Sequence, residues 1–211
     1  MDDGDLRAVV LTGKGEKAFI GGADISEMAD LTPETAETFI TGLHGASAAL
    51  RRLPVPVVAR IQGYCLGGGM EVAAACDMRI ASESAVFGMP EVALGLPSVI
   101  EAALFPRLIG DGRARWLLMT GQTIEAHQAY EWGFVEETVP AGNLDRAVET
   151  TLEAIVNAGR EAVRAQKALM RRWDGPTLEE SIRSSVADFV KAFETGEPQR
   201  MMKAFLERKK R

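Results

Sequence analysis

Gly63-Tyr64-Cys65-Leu66-Gly67-Gly68-Gly69-Met70-Glu71 stands between a short apolar run, 56–62 (PVVARIQ), and an alanine-rich segment that continues to Asp77. Its three successive glycines are costly in conformational entropy, so something at this point needs bare backbone. Backbone N–H groups at a helix N-terminus carry partial positive charge, and a ligand oxygen reaches them closely only where no Cβ intervenes. That reading makes residues 67–69 an anion or oxyanion site. The structural reading of the same glycines is close helix–sheet packing. A Walker phosphate loop is excluded, because no Gly-Lys-Ser/Thr follows.

Outward from this turn, 56–62 predicts a buried strand and 70–77 a compact buried helix. Upstream, 6–12 (LRAVVLT) is a β-branched run closed by Gly13 and predicts a strand buried on both faces. Thr32-Pro33-Glu34 opens a helix with an N-cap residue and Pro in its first turn. Phe39, Ile40, Leu43, Ala46, Leu50 and Leu53 form its apolar stripe, and Pro54 ends it. Met78–Ala81 predicts a third strand. Strand–helix–strand–helix–strand indicates an α/β fold with a mostly parallel sheet and active groups at strand ends. Beyond residue 98 helices are predicted at 99–109, 111–119 and 124–132, followed by a strand-like Phe134–Val139. Four more helices follow at 143–158, 160–173, 177–195 and 198–208. The expected organisation is an α/β core over 1–140, carrying the site, and an all-helical region over 141–211.

Glu71 falls in the first turn of the helix after the glycines. The dipole favours an acid there, but the helix is nearly all apolar, so the carboxylate either caps backbone amides or faces a cavity. Glu91 lies in Phe87-Gly88-Met89-Pro90-Glu91-Val92-Ala93-Leu94-Gly95, and no basic residue occurs between Arg79 and Arg107. It is a candidate proton donor or acceptor, against the alternative of a surface glutamate in a turn. Gly21-Gly22-Ala23-Asp24-Ile25 is a second bare-backbone turn. Gly13-Lys14-Gly15-Glu16-Lys17-Ala18 imitates the dinucleotide fingerprint after a strand. No helix runs on from it, since Phe19-Ile20-Gly21-Gly22 intervenes, so nicotinamide cofactor binding is not expected.

Composition bounds the remaining possibilities. Of 211 residues, 46% are apolar and 26% charged, ordinary values for a globular protein able to bury its own core. Lys plus Arg number 24 and Asp plus Glu 30, a net charge of −6, which argues against nucleic acid as a partner. Residues 199–211 (QRMMKAFLERKKR) carry six basic residues and one acidic, a net of +5, leaving −11 on the rest. They read either as a solvated helix end suited to its dipole or as a contact for a phosphate-bearing ligand. Cys65 and Cys76 read as reduced, buried fillers of a cytoplasmic protein. With no C-x-x-C and only His44 and His127, no metal site is expected. The acidic start (MDDGD) and the lack of a long apolar run predict neither a signal peptide nor a membrane span.

Taken in order, several segments resemble the enoyl-CoA hydratase/isomerase (crotonase) superfamily. They are Val9–Gly13, Gly22-Ala23-Asp24-Ile25, Gly63–Glu71, Ala75-Cys76-Asp77-Met78-Arg79-Ile80-Ala81 and Phe87–Gly95. Thr120-Gly121 and Glu131-Trp132-Gly133-Phe134-Val135 extend the likeness to about residue 140. The resemblance implies a crotonase-like spiral of ββα/βαβ turns with a C-terminal helical trimerisation region, assembled as trimers or dimers of trimers. It implies an acyl-CoA thioester as substrate and no cofactor beyond the coenzyme A that the substrate carries. The backbone N–H groups of Ala23 and Gly68 would form an oxyanion hole, and Glu71 and Glu91 would hold a water between them. Gly22, Asp24, Ile25, Gly67, Pro90 and Gly95 would contact substrate. Members with both glutamates resemble hydratases and those with only the second resemble isomerases, so hydration of a 2-enoyl-CoA is the leading expectation. An isomerase, a hydrolase and a catalytically weak acyl-CoA-binding scaffold are the alternatives.

The chain departs from the family pattern in two places. Where typical hydratases carry P-G-x-G-G-T, it reads Pro97-Ser98-Val99-Ile100-Glu101-Ala102-Ala103. Ser98 to Glu101 has capping-box spacing ahead of an apolar run, so a helix cap is expected there, with a third acid at the pocket wall as the alternative. The chain also begins at what would be the family's middle strand, without the usual A-L-N-x segment near the CoA. Either the sequence is shortened, or the CoA is held differently and more weakly.

Overall fold

The computed structural model describes residues 5–209; residues 1–4 and, from the basic tail, Lys210 and Arg211 lie outside the described residues. The chain forms two compact units, the larger from 10–53 and 57–149 and the smaller from the N-terminal residues, 54–56 and 150 onward.

The larger unit is built from two four-stranded sheets. One has the order β1 (Val9–Thr12), β3 (Val57–Ile61), β5 (Met78–Ser82), β8 (Glu137–Val139). The other has the order β2 (Ala18–Ile20), β4 (Tyr64–Leu66), β6 (Val86–Gly88), β7 (Thr123–Glu125). β3, β5 and β8 pair in parallel, with Val58 opposite Met78 and Ile80 opposite Glu137. β2, β4 and β6 also run parallel, and β7 is antiparallel to β6. The chain thus lays one strand in each sheet and then a helix, and repeats. α2 (Pro33–Arg52) follows the first such pair and α3 (Gly68–Ala75) the second. This is a spiral of ββα turns. The short α1 (Ile25–Ala29) precedes α2, and α4 (Phe105–Ile109), α5 (Asp111–Thr120) and α6 (Ala126–Trp132) complete the unit.

Local chemistry explains the helix ends. Thr32 caps α2 by accepting from the Thr35 N–H, and the Thr35 hydroxyl in return accepts from the Thr32 N–H. The run 56–62 is buried as predicted: Val57, Val58, Ala59 and Ile61 are inaccessible to solvent. β1 differs from expectation. Its residues alternate between half-buried and exposed, the pattern of a strand with one face covered, and among the described residues it neighbours β3 alone.

Phe87, Phe134 and Phe105 pack edge-to-face in the core, with centroids 5.6 Å and 5.9 Å apart. Beside them lies the buried Arg79. Its guanidinium pairs with Glu136 and donates to the carbonyls of Phe134 and, at 2.9 Å, Cys76. A buried cation so placed satisfies carbonyls that nothing apolar could satisfy. Arg79→Ala is expected to lower the unfolding free energy by about 1–3 kcal/mol, the cost of leaving buried carbonyls unsatisfied, read from urea denaturation.

The smaller unit holds the second half of α7 (Leu144–Asn157), then α8 (Arg160–Arg172), α9 (Leu178–Glu194) and α10 (Glu197–Arg208). The Glu197 carboxylate accepts from the backbone N–H groups of Glu161 (3.2 Å) and Ala162 (2.9 Å), capping α8 from a distant helix. The buried Lys167 ammonium donates to the Val55 carbonyl at 2.9 Å. Among the described residues, no helix is long and apolar enough to cross a membrane.

Candidate active site

A cavity of about 600 Å³ opens within the larger unit. Its walls come from the 21–23 turn with Ile25, Met28, Leu31 and Thr32 ahead of α2, the first half of α2, the Leu66–Gly68 turn with Glu71, and the 90–99 segment. Apolar side chains, among them Phe39, Ile40, Leu43, Leu94 and Leu96, form most of the lining. Polar groups are few, as in a site that positions an apolar ligand by a small number of contacts.

The three glycines after β4 serve three different purposes. Gly67 has φ +52° and ψ −128°, backbone that a side chain strongly disfavours. A Cβ there would also stand 2.6 Å from Glu91 Oε1. Its N–H donates to the Gly88 carbonyl at 2.9 Å. Gly68 opens α3, and a Cβ on it would meet Leu43 of α2 at 2.9 Å. Among the described residues its N–H has no partner, as expected of the first residue of a helix. A Cβ at Gly69 would fall 2.2 Å from the Ile20 carbonyl oxygen of β2. Gly69 therefore meets the packing requirement, Gly67 makes room for Glu91, and Gly68 leaves an unpaired backbone N–H at the cavity wall. Across the cavity mouth, Gly22 (φ +109°) brings the 21–23 turn against the end of β4. The Ala23 N–H likewise has no partner among the described residues.

Glu71 projects from the first turn of α3 and is only 4% exposed. Its Oε1 accepts from the Ala102 N–H at 3.1 Å. Burial raises its pKa from the ordinary 4.5 to about 7; the Ala102 N–H opposes the shift, and the charges of Glu91 and Glu101 add to it. Glu91 sits in the 3-10 turn Pro90–Leu94, half-buried, with Oε1 toward Gly67 and Oε2 accepting from the Ser98 hydroxyl at 3.1 Å. Two carboxyl groups from different elements thus reach one apolar cavity beside an unpaired helix N–H.

Of the residues expected to touch substrate, Gly22, Ile25, Gly67 and Pro90 line the cavity. Asp24 and Gly95 do not. Asp24 caps α1, its Oδ1 accepting from the Ser26 N–H (2.8 Å) and hydroxyl (2.7 Å), and those bonds lower its pKa. Gly95, at φ +79°, ends the 3-10 turn in the left-handed conformation that glycine favours.

The expected capping box at Ser98–Glu101 is corrected by the structure. Ser98 bonds to Glu91, and the following 3-10 turn, Ile100–Leu104, begins after Val99 without a side-chain cap. Ile100 has φ +42°, an unfavourable conformation for a β-branched residue. The turn it makes brings the Ala102 N–H, shared with the Val99 carbonyl at 2.9 Å, within reach of Glu71 and buries Glu101 against His44 of α2, Nδ1 to Oε1 2.9 Å. Tertiary partners outweighed the local spacing. Sequence reading missed Ser98 as a partner of Glu91, and it missed the Ala102 N–H and His44. All three act across chain separations that periodicity does not report.

Comparison with known proteins agrees with this architecture. The family model described as enoyl-CoA hydratase/isomerase matches residues 1–211. The short-chain-enoyl-CoA hydratase of Clostridium acetobutylicum is 36% identical, covering 99% of this chain and 80% of that protein. The crotonyl-CoA hydratase of Syntrophomonas wolfei is 34% identical over 99% of this chain and 81% of its own. A crystal structure of enoyl-CoA hydratase from Bacillus anthracis superposes with a TM-score of 0.93 at 35% identity, covering 98% of this chain and 81% of that one. The chain belongs to the enoyl-CoA hydratase/isomerase family, and its spiral of ββα turns is the crotonase fold.

Proposed function

We propose that this protein is an enoyl-CoA hydratase, a hydro-lyase that adds water across the 2,3-double bond of an enoyl-CoA thioester. The observation that carries the reading is the convergence of Glu71 and Glu91 on the apolar cavity beside the Gly68 N–H. Addition at Cβ builds negative charge on the thioester oxygen. Fixed donors at Ala23 and Gly68 stabilise that charge more in the transition state than in the substrate. A water held between the carboxyl groups attacks Cβ. The ionised glutamate takes its proton, and the protonated one delivers a proton to Cα. A carboxyl with a pKa of about 7 is present in both forms near neutral pH, which suits Glu71 to this exchange. No group beyond the coenzyme A of the substrate is needed.

The family names on both relatives favour hydration, and Glu71 and Glu91 together supply the acid and base that hydration requires. A panel of 2-enoyl-CoA thioesters of increasing chain length tests the proposal, because hydration removes the conjugated absorbance. Absorbance stable across the whole panel would leave the chain a binding protein.

Self-association as a trimer or dimer of trimers belongs to the same reading. α9 presents Leu178, Ile182, Val186 and Phe189 at helical spacing, with Phe189 70% exposed. A stripe of that size is unusual on a monomer's surface. Val186→Asp combined with Phe189→Asp is expected to reduce the particle to a single chain by light scattering.

A further inference from the structure

Glu101 is 3% exposed, and neither the oxyanion hole nor the Glu71–Glu91 pair makes use of it. Its Oε1 meets His44 Nδ1 at 2.9 Å, while its Oε2, also buried, has no partner among the described residues. The next residue, Ala102, donates its N–H to Glu71 Oε1 at 3.1 Å. Two buried carboxyl groups therefore stand on adjoining elements, α3 and the 3-10 turn Ile100–Leu104, which pack on each other and on α2. Like charges so close and so dry do not both ionise at little cost. The charge settles on whichever group is better supplied. Glu71 has a single backbone N–H and no cation. Glu101 has the imidazole of His44, whose side chain is 53% exposed and so carries the couple out to solvent.

We propose that Glu101 is a positioning residue for the acid–base chemistry of Glu71: its bond to His44 fixes a buried carboxyl beside α3, and the charge of that carboxyl adds to burial in keeping the active-site proton on Glu71. The inference rests on the hydratase reading for its importance to turnover, but the proton distribution can be measured without turnover. The charged groups that bear on Glu71 are Glu91 from the 90–94 turn and Glu101; α2, which packs on α3, adds His44 and Glu37, the latter in the wall of the same cavity. β2 and β4, which also pack on α3, bring no charged residue. Arg107, on α4 beyond the Ile100–Leu104 turn, is exposed. The bond between His44 and Glu101 admits two proton placements. A carboxylate accepts from an N–H, or a carboxylic acid donates to a bare ring nitrogen, and the proposal commits to the first.

Carboxyl-carbon NMR on protein carrying δ-¹³C glutamate separates them, with the Glu71 signal identified by its loss in Glu71→Gln. The parent is expected to titrate at Glu71 with a midpoint near 7. In Glu101→Gln, which keeps shape and removes charge, the midpoint is expected to fall, while burial and Glu91 still hold it above the ordinary 4.5. In His44→Phe, which keeps ring bulk and removes the hydrogen-bond partner of Glu101, the Glu71 midpoint is expected to fall as well. The limb of the kcat/KM profile that reports Glu71 should move down with it in both variants. An unmoved midpoint in Glu101→Gln overturns the proposal, and an unmoved midpoint in His44→Phe overturns the part given to His44. If no enoyl-CoA is turned over, the hydratase reading fails, while the NMR titration still decides this inference.

Discussion

Glu71→Gln is expected to lower kcat on the preferred enoyl-CoA by about 10²–10⁴-fold while leaving the protein more stable above neutral pH. The two effects share one cause. Folding carries the Glu71 carboxyl from an ordinary pKa of 4.5 to about 7, chiefly by burial. Between those values the folded state binds more protons than the unfolded one, so stability falls as pH rises from 4.5 toward 7 and is level above it. At 1.36 kcal/mol per unit, the cost at pH 8 is about 3 kcal/mol. Glutamine keeps the acceptor for the Ala102 N–H and carries no charge, so it removes the cost. Denaturation of parent and variant at pH 8 and pH 4.5 checks this: the variant's advantage should be present at pH 8 and absent at pH 4.5. A residue that merely supported the fold would lose stability together with activity. Glu91→Gln should show a similar loss of turnover, since its carboxyl is the other half of the exchange.

The second large effect is expected at Gly67. Gly67→Ala places a Cβ 2.6 Å from Glu91 Oε1 and requires an alanine at φ +52° and ψ −128°. Backbone strain of that kind costs about 1–3 kcal/mol of stability. The larger consequence is for chemistry, because Glu91 must swing away from the cavity and the N-terminus of α3 must shift with the Gly68 N–H. Loss of one oxyanion donor costs about 10²–10³-fold in kcat, so the expected fall is at least that large. Substrate affinity, set by the apolar lining, should change far less, and KM measured alongside kcat makes the distinction.

The same residues show how far sequence reading carries. The glycine turn was legible because three glycines together have few purposes, and their position before an apolar helix selects among those purposes. What could not be read was the division of labour, since only the spatial neighbours reveal that Gly69 faces Ile20 while Gly67 faces Glu91. The first sheet was legible through β-branched runs such as Val57–Ile61. The second was not read from periodicity, because β2, β4, β6 and β7 have three residues each, too short for an alternating pattern to stand out. The helical region followed its pattern closely, with α7 to α10 within a few residues of the expected spans. The 97–103 segment was misread for a physical reason. Ser-x-x-Glu spacing favours a cap locally, but buried Glu101 and Ser98 each found a stronger partner through the fold, His44 and Glu91. Glu71 and Glu91 lie twenty positions apart, and the parallel pairing of β4 with β6 brings their two segments to one cavity.

Isotope incorporation tests the central claim most directly. With an active 2-enoyl-CoA in water labelled with both ¹⁸O and deuterium, mass spectrometry of the product reads where each atom goes. The account predicts a 3-hydroxyacyl-CoA carrying one ¹⁸O at C3 and one deuterium at C2, formed by the parent and strongly reduced in Glu71→Gln and Glu91→Gln. An ¹⁸O in a released free acid, a shifted double bond with no ¹⁸O, or turnover within tenfold of the parent in both variants would contradict it.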